Sequence, residues 1–94
     1  EGPLIRKISE GNYSVKGVMN INDLNDNLRI SIPTEEADTL AGFLYSLLGR
    51  VPEEGERIGF DGLVFEIELL EGQRITDIRL IFSDEKGSRP EAGG

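Results

Sequence analysis

Apolar residues along this chain change their spacing from one stretch to the next, and each spacing predicts a different element. Ile5 and Ile8 open an extended segment that passes the turn-like triplet Glu10-Gly11-Asn12. Tyr13 and Val15 then alternate with polar neighbours, which predicts a strand at 13–18. Ile21, Leu24 and Leu28 follow at intervals of three and four, behind a capping Asn20 with Asp23 three positions on, so a helix is expected over 21–28. Ile30 and Ile32 are spaced by two and end at Pro33, an extended link. Thr34 reads as the cap of a second helix over 35–48. Glu35, Glu36 and Asp38 put negative charge at its positive end, and Ala37, Leu40, Ala41, Leu44, Leu48 and Val51 form one apolar stripe. Gly49-Arg50 followed by Pro52 ends it.

From Arg57 onward the period is two, with Ile58 and Phe60, then Phe65, Ile67 and Leu69, then Ile78, Leu80 and Phe82 as the inward set of three strands. Taking Asp61-Gly62 and Gly72-Gln73 as two-residue hairpin loops, Phe60 pairs with Leu63, Ile58 with Phe65, Ile67 with Ile78, and Phe65 with Leu80. Every apolar set then lands on one face. The same register puts Arg57 beside Glu66 and Glu66 beside Arg79 on the outer face, and sets Glu68 opposite Asp77, an unfavourable pair. The expected fold class is α+β: a two-layer sandwich in which an antiparallel sheet, in the order β-α-α-β-β-β, carries both helices on one face.

Composition narrows the chemistry. At 94 residues there is room for one domain, expected at 4–82, and for a tail over 83–94 whose Gly, Ser, Pro and charged residues predict disorder. The chain contains neither Cys nor His, which removes thiolate nucleophiles, disulfides, the commonest metal ligand and the commonest general base near neutral pH. A net charge of −8 opposes binding to nucleic acid and to anionic lipid. No apolar run approaches the roughly 20 residues that cross a bilayer. Beginning at Glu1 and lacking Cys, the sequence reads as a cytosolic segment of a longer protein.

Six segments, in order, resemble one known family. They are Gly11-Asn12-Tyr13-Ser14-Val15-Lys16-Gly17, Ile21-Asn22-Asp23-Leu24-Asn25, Asp38-Thr39-Leu40-Ala41-Gly42-Phe43, Leu48-Gly49-Arg50-Val51-Pro52-Glu53-Glu54-Gly55-Glu56, Gly62-Leu63-Val64-Phe65 and Gly72-Gln73-Arg74-Ile75. Together they are similar to the CorC/HlyC transporter-associated domain, the C-terminal module of CorC-type membrane proteins and related haemolysin-like proteins. The resemblance implies a preceding membrane domain and a pair of CBS domains as partners, a position on the cytoplasmic side of the bacterial inner membrane, and a part in magnesium or cobalt efflux. It also implies a likeness to the small domain that accompanies PCMH-type FAD-binding modules. From that likeness comes the alternative that the domain binds FAD or an adenine nucleotide. The family supplies no catalytic residues, so the expectation is a non-catalytic regulatory module.

Asp23, Asn25 and Asn27 imitate the start of a calcium loop, but Leu28 stands where the turn needs Gly and Thr34 where a bidentate Glu closes the site. No metal is expected there, nor at the acidic groups Glu35-Glu36-Asp38 and Glu53-Glu54-Glu56, which read as solvated. Phosphate-cradling glycine loops are absent, leaving Arg50 and Arg74 as the candidates for a nucleotide phosphate, against plainer roles at a helix end and a hairpin turn. Thr39, Gly42 and Ser46 line the helix face opposite the apolar stripe, with Phe43 and Tyr45 flanking them. Because Gly in a helix costs about 1 kcal/mol relative to Ala, that face reads either as a contact for an N-terminal segment, a neighbouring domain or a second copy of the chain, or as a solvated face that tolerates the Gly.

Overall fold

Gly11, at φ +71°, lets the chain reverse between β1, Ile5–Ser9, and β2, Asn12–Lys16, which pair antiparallel with Ile5 opposite Val15 and Arg6 opposite Ser14. The computed structural model describes residues 3–83, so all of the expected tail beyond Ser83 lies outside the described residues. The first hairpin corrects the expected element order to β-β-α-α-β-β-β. β1 is an edge strand exposed at every position except the half-buried Ile5, and such a strand carries no alternation for the sequence to display. β2 stops at Lys16 instead of running to residue 18, because Gly17 is bonded elsewhere: its N–H donates to Thr76 O and its carbonyl accepts from Ala41 N. A Cβ on Gly17 would collide with the Ile75 carbonyl, so only glycine allows this approach.

Helix α1, Ile21–Leu28, has the expected bounds, with Asn20 Oδ1 accepting from Asp23 N at 3.1 Å. It buries Ile21 and Leu24 and stops at Arg29, which adopts the left-handed φ of 58°. Helix α2, Leu40–Leu48, starts five residues later than the spacing predicts, capped by Thr39 and closed by Gly49 at φ +72°. The reason is tertiary. Ile21 N donates to Asp38 O and Leu40 N to Met19 O, and Asn20 forms an antiparallel bridge with Thr39, so residues 38–40 are held extended against the start of α1. Val51 lies beyond the helix and is exposed.

The remaining strands are β3, Arg57–Phe60, β4, Leu63–Glu71, and β5, Arg74–Phe82, and the sheet order is β1-β2-β5-β4-β3. The four apolar pairings and the Arg57–Glu66 and Glu66–Arg79 neighbours occur as expected. The Glu68–Asp77 opposition does not. The register shifts around Leu69, which faces Asp77 instead, while Glu68 pairs with Arg79 at 2.8 Å and Asp77 with Lys16 at 2.5 Å. This irregularity turns Leu69 outward, 43% exposed, and brings Ile75 inward, 1% exposed, against the strict period of two. Phe65, Ile67, Ile75, Ile78 and Leu80 from the sheet pack with Ile21, Leu24, Leu40 and Leu44 in one core, which places both helices on one face. Among the described residues no helix is long and apolar enough to cross a membrane.

Candidate functional site

The candidate interface residues on α2 separate into different roles once placed. Thr39 Oγ1 accepts from Gly42 N at 3.2 Å, so Thr39 is the cap, not a member of an outer helix face. A Cβ on Gly42 would meet Ala37 Cβ at 3.0 Å, so the missing side chain makes room for the segment that leads into the same helix. Phe43 is buried, stacking edge-on against Phe60 at 5.1 Å and Phe65 at 6.2 Å between ring centroids. Tyr45 reaches the β4–β5 hairpin, where its hydroxyl accepts from Ile75 N at 3.0 Å and donates to Gln73 O. Ser46 remains exposed. With Phe43 it joins Pro33, Glu36, Leu47 and Phe60 around a cleft of about 440 Å3, where two of the expected interface residues meet exposed apolar surface.

Arg50 follows the αL residue Gly49 and turns onto the loop that leads to β3. Both of its terminal nitrogens donate to the Glu56 carboxylate, Nη1 to Oε1 at 3.1 Å, and Oε1 also accepts from Glu53 N at 3.0 Å. The hydrogen bond from Arg50, more than the accompanying charge, holds the Glu56 carboxyl below its ordinary pKa, and the same bond raises that of Arg50. The surrounding hollow is lined by Arg50, Glu53, Glu54, Gly55 and Glu56, and three carboxylates to one guanidinium make it a poor seat for a phosphate. Arg74 opens β5, 3.9 Å from Glu71 on an exposed turn, and is not among the residues lining the Arg50 hollow.

Two polar residues with structural work went unread in the sequence. Asn25 donates Nδ2 to Ile32 O at 3.0 Å and accepts from Ile32 N at 2.9 Å, mimicking a strand partner for the link after α1. Glu54 accepts from Leu70 N at 2.9 Å, next to the irregularity in β4. Both partners lie seven or more residues away, beyond the reach of local patterns. Among the described residues no three Asp or Glu side chains gather as a metal site.

The model of the transporter-associated domain family matches residues 6–84. Among curated relatives, the chain is 28% identical over 82 residues to the magnesium and cobalt efflux protein CorC of Buchnera aphidicola, covering 87% of this chain and 28% of that protein. It is 38% identical over 77 residues to hemolysin C of Brachyspira hyodysenteriae, covering 81% of this chain and 29% of the relative. The chain therefore spans under a third of the length of these relatives. Of solved structures, the CorC/HlyC transporter-associated domain from Nitrosomonas europaea superposes with a TM-score of 0.80 at 28% identity, covering 88% of this chain and all of that one. That from a Xylella fastidiosa hemolysin, determined in complex with Mg++ and Mn++, gives 0.76 at 30% identity over 85% of this chain and 98% of the other. With nearly every described residue inside the matched span and the same α+β architecture in both solved neighbours, this chain belongs to the CorC/HlyC transporter-associated domain family.

Proposed function

We propose that this domain is a non-catalytic regulatory and interaction module of a CorC-type membrane protein, held on the cytoplasmic side and modulating divalent-cation efflux. The observation that carries the reading is the coverage: a match to 87% of this chain occupies 28% of an efflux protein, as expected of one module among several. The arrangement of polar groups supports it. Arg50, Glu56, Tyr45 and Asn25 close loops and tie elements together, and the cleft beside Ser46 offers apolar surface to a neighbouring domain such as a CBS pair, or to a second copy.

The test is deletion of this module from the full-length parent, followed by cobalt or magnesium efflux measurements on cells with matched membrane levels of protein. A severalfold change in efflux, or in its response to cation load, is expected; unchanged efflux and assembly would refute the regulatory role. Calorimetry and melting of the isolated chain with ATP, FAD and magnesium separate this reading from ligand sensing. Saturable heat, or stabilisation beyond matched ionic strength, near millimolar nucleotide, flavin or Mg2+ would assign the domain a ligand of its own.

A further inference from the structure

The sheet face away from the helices carries a cross-strand row, Arg6, Ser14, Arg79, Glu66 and Arg57, set by the pairings Arg6↔Ser14, Ser14↔Arg79, Glu66↔Arg79 and Arg57↔Glu66. Ser14 is the one short side chain in the row. Lys16 stands two residues along on the same face, its N–H bonded to Leu4 O at 2.8 Å across the β1–β2 pair. Long cationic side chains around a serine leave a hollow of about 170 Å3, lined by Pro3, Leu4, Arg6, Ser14 and Lys16.

Charge at the hollow is only partly balanced, as it is at Arg29, which also forms no ion pair among the described residues. Lys16 is offset by Asp77 and Arg79 by Glu68, whereas among the described residues Arg6 forms no ion pair. On the far side of Ser14 in the row, Arg79 Nε is buried with no hydrogen-bond acceptor. We propose that this hollow binds the oxyanion group, phosphate or carboxylate, of a small ligand, with Arg6 as ionic partner and Ser14 and Lys16 as hydrogen-bond donors. The size of the hollow sets the limit. Pockets that enclose a drug-sized molecule run from about 300 Å3, so this one takes a charged head group and leaves the remainder of the ligand outside. The Arg50 hollow, lined by three carboxylates, does not compete for the same chemistry.

Amide NMR of the 94-residue chain tests this, titrating inorganic phosphate and, separately, acetate, each against chloride at matched ionic strength. Saturable shifts at residues 6, 14, 16 and 79 in the millimolar range are expected. Response to phosphate alone assigns a phosphate, and response to both assigns oxyanions generally. Arg6→Gln, on an exposed edge strand, should weaken binding at least tenfold and Ser14→Ala severalfold, while Arg74→Gln leaves it unchanged. Shifts no larger than those with chloride, or the same affinity in Arg6→Gln as in the parent sequence, would overturn the proposal.

Discussion

Glu56 accepts from both terminal nitrogens of Arg50 and from Glu53 N, and so closes the loop between α2 and β3 with a single carboxylate. Its folded-state pKa lies below the ordinary value of 4.5, so the stabilisation it supplies is complete above that value and is lost as pH falls through the folded one. Glu56→Gln should therefore lower the melting temperature near neutral pH and flatten its fall in acid, with the two proteins converging in the lowest pH range. Melting curves between pH 7 and pH 2 check this; parallel curves for the two proteins would show that the carboxylate is not linked to folding. From the sequence, Arg50 at a helix end is legible as a position. Its partner six residues on is not, because a turn over residues 53–56, with Gly55 at φ +89° and Glu56 N bonded to Glu53 O, is what brings Glu56 back to it.

At the scale of elements, the ends of α2 show what local patterns can and cannot carry. Gly49 is read correctly as the stop, since a left-handed residue is required there and glycine accommodates it without strain. The start is misplaced because two threonines compete. Thr34, followed by Glu35 and Glu36, has the better local signal, but Thr39 has the tertiary bonds, with Asp38 O and Leu40 N tied to Ile21 and Met19. Thr39→Ala should cost about 1 kcal/mol, which for a domain of this size lowers the melting temperature by about 4–8 °C. Thr34→Ala, at an exposed position outside any helix, should stay within about 0.5 kcal/mol. Thermal melts of the two variants decide between the caps, and a larger loss at Thr34 would restore the longer helix. Hairpin registers were legible because two-residue loops fix them, with Asp61 and Gly62 both at positive φ. The irregularity around Leu69 was not: the Glu68–Asp77 opposition is legible in the register, but the bonds found beside the shift, Lys16 to Asp77 and Leu70 N to Glu54, come from distant parts of the chain.

For the whole molecule, the decisive fact is that one core receives side chains from both helices and from β2 to β5. α1 contributes little helix of its own: eight residues are below the about 12–15 at which isolated helices become even marginal, so its order depends on the sheet beneath it. Removing its buried anchor should therefore destabilise the entire domain, not melt the helix alone. Leu24 is fully buried, and Leu24→Ala should cost about 2–5 kcal/mol. A chain of this length is stabilised by about 5–14 kcal/mol in all, so the variant should shift the urea midpoint of every probe by the same amount. The measurement follows far-UV circular dichroism and Tyr13 and Tyr45 fluorescence through one urea titration. Coincident transitions at a lower midpoint are expected, and an early helical transition followed by separate loss of the sheet would mean that α1 docks as an independent unit.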